Sequence, residues 1–241
     1  MDELRVVFNF YEKITPPPKF NTFFDGWKHL GSFVEKQDYY VGALLHQNLD
    51  PKGMFPFVNF ATFKGTEESV IHEMTNPSQE LIQALVEGHG LPGHQVNHPG
   101  GYNEVATDDQ KSIAPDLPPH QDSIYYIACF QTAENGSGVC PSDAEAKWKE
   151  IVGLEALRSF VESHGRKIGR AGFYRRFTPA SPFGTYSYVF RCELPGFDGS
   201  EPELWAAVRA INESVIDGQL GRVNSSLYKI MHVSTPKNNN K

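Results

Sequence analysis

The chain has 241 residues, 39% of them hydrophobic and 21% charged, an ordinary globular mixture with apolar mass for two small cores. Its net charge is −7 and no cluster of five or more Lys or Arg occurs, which argues against nucleic acid or an anionic membrane surface as a partner. No apolar run approaches the roughly 18 residues that a spanning helix needs, and the opening Met1-Asp2-Glu3-Leu4-Arg5 lacks the pattern of a secretory leader.

Residues 5–13 (RVVFNFYEK) are rich in β-branched and aromatic side chains and read as a strand. After the turn at Pro16-Pro17-Pro18, Phe20, Phe23, Trp27, Leu30 and Val34 recur at helical spacing with polar residues between them. Two strands follow, Val41 to Leu49 and Phe57 to Phe63, split by the turn Asp50-Pro51-Lys52-Gly53. Two short helices come next. The second is expected to open on Asn76 as cap with Pro77 at its first position and Gln79 completing a capping box, and to stop at Gly88. Tyr102 to Ala106 closes this βαββαβ order as a strand.

Residues 108–122 carry three prolines and little apolar periodicity, the composition of a linker. Beyond them the order repeats. Ile124 to Gln131 reads as a strand, and a helix carries Trp148, Ile151, Leu154, Leu157 and Val161. Gly172 to Phe177 and Tyr186 to Glu193 read as strands, separated from the final strand, Ser225 to Val233, by a helix opened by Ser200 and Glu203 and ended by Gly218. Residues 135–143 look like a loop insertion, and 236–241 form a polar tail expected to be disordered.

The halves also match in residues. Ser32-Phe33-Val34-Glu35 recurs as Ser159-Phe160-Val161-Glu162, Leu49-Asp50-Pro51 is echoed by Phe177-Thr178-Pro179, and Phe55 by Phe183. A duplication is the economical explanation. The expected fold is therefore α+β: two tandem ferredoxin-like domains, 1–107 and 123–235, packing sheet to sheet as a dimeric α/β barrel. Helices cover only one face of such a sheet, so the sister sheet is the natural cover for the other. A pocket is expected either between sheet and helices or inside the barrel. Because the halves can cover each other, a pseudo-dimeric monomer or a homodimer both remain open.

The stretch 31–63, GSFVEKQDYYVGALLHQNLDPKGMFPFVNFATF, resembles the core of antibiotic-biosynthesis monooxygenase domains, and His98-Pro99-Gly100-Gly101-Tyr102 continues the likeness. Members of that superfamily include cofactor-independent oxygenases of polycyclic phenols, haem-degrading oxygenases and proteins without established chemistry. In the quinone-forming members an Asn and a Trp four residues later help bind the substrate and stabilise reduced-oxygen intermediates. Asn59 matches the Asn, and Phe63 stands at the Trp position, keeping an aromatic wall without an indole N–H. In the second half the same offset falls on Ser187 and Arg191.

The resemblance implies a monooxygenase-like protein acting on an aromatic or phenolic small molecule without a cofactor. Asn59, Asn9 and His46 are its candidate catalytic residues, and Phe57, Phe63, Tyr11 and His72 its candidate substrate-binding residues. On alternation alone, Asn59 shares a strand face with Phe57, Ala61 and Phe63, and Asn9 shares one with Val7 and Tyr11. His46 could shuttle a proton near neutral pH. Two alternatives stand beside this reading: haem binding or degradation through Asn9 and His72, and a non-catalytic ligand-binding barrel. His89, His94 and His98 match no familiar metal spacing. Cys129, Cys140 and Cys192 read as reduced thiols, which makes the expected compartment the cytoplasm.

Overall fold

A computed structural model describes residues 3–108, 122–132, 144–179, 186–213 and 220–237. The linker at 109–121, Cys140, Phe183 and Gly218 fall outside the described residues, as do the loop insertion and the end of the tail.

Eight strands form one closed antiparallel barrel: β1 (Leu4–Lys13), β2 (Tyr40–Asn48), β3 (Phe57–Lys64), β4 (Val96–Thr107), β5 (Ser123–Thr132), β6 (Ala171–Arg176), β7 (Tyr188–Pro195) and β8 (Leu220–Ser234). Around the barrel they run β1-β3-β2-β8-β5-β7-β6-β4. The strands before residue 108 are thus contiguous, as are those after 122. The expectation of two sheets laid face to face is modified here. The two runs are hydrogen-bonded edge to edge, through β2 with β8 and β4 with β6, so that no open edge remains.

Alternation along each strand sends one set of side chains inward. The interior is filled by aromatics: Phe8 meets Tyr102 and Tyr174 edge-on at ring distances of 5.4 and 5.2 Å, and Phe10 meets Phe55 and Tyr186, both at 5.2 Å. Tyr125, Tyr228 and Val189 complete this core. Among the described residues the barrel centre is thus a packed aromatic core.

Helices cover the outside. α1 (Phe23–Val34), α2 (Glu67–Thr75) and α3 (Gln79–His89) lie on the first run of strands. Thr22 caps α1 by accepting from the Asp25 N–H. Asn76 closes α2 rather than opening α3, its N–H donating to the His72 carbonyl; Ser78 caps α3 by accepting from the Leu81 N–H. Pro77 between them has no N–H and cannot continue either helix. α3 also runs past Gly88 and stops at Gly90, whose φ of 89° suits glycine. The second set is α4 (Trp148–Val152), α5 (Leu154–Ser163) and α6 (Pro202–Glu213). The single helix expected over Trp148 to Val161 is broken at Gly153, at φ 70°. Among the described residues no helix is long and apolar enough to cross a membrane.

Candidate functional site

The outward faces of the two runs of strands differ sharply. On β5 and β7 the outward residues are mostly large: Tyr126, Phe130, Tyr188 and Phe190, with Trp148, Leu157, Leu204 and Val208 of the helices packed onto them in one buried cluster. On β1, β2 and β3 the equivalent face carries Val7, Asn9, Ala43, Asn59 and Ala61, and α1, α2 and α3 do not fill the space above them. A cavity of about 600 Å³ results, roofed by Trp27 and Leu30 of α1, Met74 of α2 and Leu81 and Leu85 of α3. Its walls are largely apolar and aromatic, with Phe63, Tyr39 and Tyr40 at one end. The charged residues on its lining, Lys64 and Glu73, are both solvent-exposed, which places the mouth between the end of β3 and α2.

Three of the cavity's polar groups stand together on β1 and β3. Asn9 and Asn59 are direct partners across the strand pair, and both line the cavity. The Oδ1 atom of each is buried and makes no hydrogen bond, a costly arrangement of about 1–3 kcal/mol for each unsatisfied group. Beside Asn9 on the same face stands Tyr11, whose hydroxyl lies 3.3 Å from His89 Nε2 at the end of α3. The His89 ring is fixed by Phe23, nearly parallel to it at 6.3 Å, and by the Tyr11 ring, edge-on at 5.5 Å. Burial pushes His89 down to about 4, so at neutral pH it is an uncharged acceptor. Burial raises the Tyr11 phenol above its ordinary value, and the nearby polar side chains of Asn9 and Trp27 offset part of that rise.

Asn59, Asn9, Tyr11 and Phe63 are thus brought together around one cavity. Phe57 lies behind it, stacked on Phe23 at 5.1 Å. Two candidates are placed elsewhere. His46 is fully buried inside the barrel, with Nδ1 3.2 Å from the Val58 carbonyl and Nε2 accepting from Arg191 Nε at 3.4 Å. Burial, and then the neighbouring Arg191 guanidinium, hold it well below the usual imidazole range, so it has neither the access nor the basicity of a proton shuttle for this cavity. His72 is exposed on α2 and outside the lining, because its position faces away from Val70 and Met74. Arg191, which shares the offset of Phe63, also points into the barrel, over the rings of Phe60 and Tyr125 at 4.7 and 4.2 Å.

Trp27 and His89 line the cavity although sequence reasoning did not single them out as ligand contacts. Trp27, read as core, lines it from α1. His89 was grouped with His94 and His98, yet the three have separate partners: Tyr11, the Pro16 carbonyl and Glu12. The available signal was its place on the stripe Leu81, Leu85, His89. Among the described residues no group of three or more His, Cys, Asp or Glu is placed to hold a metal ion.

Residues 40–235 match the model of a family described as a domain of unknown function, DUF7153. The chain belongs to the DUF7153 family. No curated protein matches this DUF7153 member by sequence. Among solved structures, an anthrone oxidase-like protein is similar at 13% identity and a TM-score of 0.55, with 98% of this chain and 94% of that chain covered. A candidate chlorite dismutase follows at 11% identity and a TM-score of 0.54, covering 96% of each chain. A candidate monooxygenase from Lactobacillus acidophilus is similar at 6% identity and a TM-score of 0.44, covering 97% of each. The first two show that the DUF7153 chain shares the α+β barrel fold.

Proposed function

We propose that this DUF7153 protein is a monooxygenase-like enzyme that takes an aromatic or phenolic small molecule into the cavity over β1 and β3 and oxidises it with O2 without a bound cofactor. In this reading residues 1–107 and 123–235 are a duplicated ferredoxin-like unit joined by 108–122, and only the first copy keeps a site. The observation that carries it is the cavity itself: about 600 Å³, walled by aromatic and aliphatic side chains, with the amides of Asn9 and Asn59, the Tyr11 phenol and the neutral His89 imidazole among its polar groups. A phenol or enol can be activated by its own deprotonation, so a dry pocket with a few oriented polar groups suffices. The solved anthrone oxidase-like protein with the same fold is in keeping with this substrate class.

Haem fits these residues less well. Its ligand in the alternative reading is His72, which is exposed and outside the cavity. The test is O2 uptake by the purified chain with anthrones and reactive hydroquinones, alongside thermal shift with the same compounds. Uptake that saturates with substrate and falls at least about tenfold in Asn59→Ala supports the enzyme reading. Stabilisation by these compounds without uptake would leave a ligand-binding barrel, and neither effect with any of them would remove the aromatic-ligand reading altogether.

A further inference from the structure

Tyr11 and His89 form a buried pair that a purely structural account does not require. Both line the cavity, one from the strand that also carries Asn9 and the other from the last residue of α3. The phenolic oxygen and the imidazole nitrogen lie 3.3 Å apart. A tyrosine oxygen has one proton to give and two lone pairs. His89 Nε2 is the hydrogen-bond partner that the structure gives this oxygen, and a neutral imidazole with its ring proton on Nδ1 accepts the phenolic proton there, which leaves the lone pairs of Tyr11 Oη to the ligand.

We propose that Tyr11 and His89 act as a two-residue proton acceptor for a hydroxylated ligand bound beside Asn9 and Asn59. This rests on the cavity being a ligand site. The ligand O–H bond breaks and its proton passes to Tyr11 Oη as Tyr11's own proton moves to His89 Nε2. The ligand leaves the step as an oxyanion, Tyr11 is regenerated neutral, and His89 becomes imidazolium. No electrons change hands and the cavity's net charge is unchanged. Burial disfavours a lone imidazolium here, but the new oxyanion lies one residue away, and an opposite charge at short range favours the charged form. The groups against the His89 ring are Tyr11 from β1 and Phe23 from α1; Trp27 of α1 and Asn97 of β4 line the same cavity, and the charged lining residues, Lys64 and Glu73, are solvent-exposed.

The experiment uses 7-hydroxycoumarin, whose neutral and ionised forms absorb differently, with 7-methoxycoumarin as a ligand that cannot ionise. Each is titrated into the full chain, Tyr11→Phe and His89→Gln, and the spectrum of bound 7-hydroxycoumarin is followed with pH. The expected result is that the bound probe ionises about one pH unit lower, about tenfold more anion, in the unaltered chain than in either variant. Binding of 7-methoxycoumarin shows which variants still take a ligand into the cavity; the two variants break the relay at independent points, so either one that binds it decides. A bound probe that stays neutral in the unaltered chain, or that ionises at the same pH in the variants as in the unaltered chain, overturns the relay and leaves the cavity reading standing. Binding of neither coumarin overturns the cavity reading and the relay with it.

Discussion

Gly26 of α1 and Gly88 of α3 touch backbone to backbone above the cavity: a Cβ built on Gly88 would lie 2.6 Å from the Gly26 carbonyl oxygen, and one on Gly26 would clash with the Gly88 carbonyl. This contact sets the height of the roof and places Trp27 and His89, each the next residue in its chain, over β1. Gly88→Ala gains about 1 kcal/mol of intrinsic helix propensity. It must also push two helix backbones apart, and overpacking of this kind costs about 1–3 kcal/mol. Since neither carbonyl can swing aside as a side chain would, the clash wins. The expected result is a Tm lower by several degrees and weaker ligand binding, read by thermal unfolding and by titration; an unchanged or raised Tm would show that the helices part freely.

The paired amides on the cavity floor invite the opposite experiment. Asn9 and Asn59 are cross-strand partners whose Oδ1 atoms are buried without hydrogen bonds. Replacing one by an apolar residue of similar size removes an unsatisfied acceptor and adds apolar contact. Asn59→Leu is expected to raise stability by about 1 kcal/mol, while ligand affinity falls. Such a trade is the signature of a polar group kept for function rather than for folding. A loss of stability on this substitution would show that Asn59 is structural.

Two buried histidines give the fold a pH dependence of known sign. His89 is lowered to about 4 and His46 well below its ordinary value, in each case chiefly by burial. Both are neutral in the folded chain near pH 7, whereas in the unfolded chain they titrate near 6.5. The unfolded state therefore binds more protons as the pH falls. Their contribution is fully present above about pH 6.5 and is lost progressively below it; for His89 the loss is complete only below about 4 and amounts to about 3 kcal/mol. Lowered carboxylates such as Asp108 and Glu35 add a further loss below about pH 4. In Tm profiles from about pH 7.5 to 4.5, His89→Gln should flatten the decline in this window; parallel profiles would mean that His89 is solvated and titrates normally.

Much of this arrangement was legible in the period-2 pattern of two segments. Along 5–11 and 57–63 the alternation separates Val7, Asn9, Tyr11, Asn59, Ala61 and Phe63 from Val6, Phe8, Phe10, Val58 and Phe60, and the structure places the first set at the cavity and the second in the barrel. What alternation cannot supply is the partner of an edge strand. The pairing of His46 with Ile230 and of Asn103 with Arg175 joins segments far apart in the chain, and it is this closure that seals His46 inside. Cap chemistry misled locally for a related reason: Asn76 and Ser78 both suit a helix boundary, and only the backbone decides which ends α2 and which begins α3. His89 looked like one of a histidine trio because sequence proximity says nothing of which way a helix end and a strand face.

The contrast between the two sheet–helix spaces fixes how many ligands one chain can hold. Where the first run of strands offers Asn9, Asn59 and Ala61, the second offers Ala128 between Tyr126 and Phe130, with Phe190 opposite it and Tyr188 opposite Phe130. Phe173 stacks on Tyr188 at 4.9 Å, and Trp148 lies flat against Phe173 at 6.1 Å, so aromatic rings occupy the volume that a ligand has in the first half. Opening an equivalent space would break this packing, and truncating a single buried Phe or Trp in a core costs about 3–5 kcal/mol, far more than a weak ligand returns. Calorimetric titration with any compound that stabilises the protein should therefore give one site per chain. The substitution Ala61→Phe, which projects a ring into the cavity from β3, should abolish that site and leave no residual binding. Two sites per chain, or binding that survives Ala61→Phe, would place the ligand outside the cavity over β1 and β3.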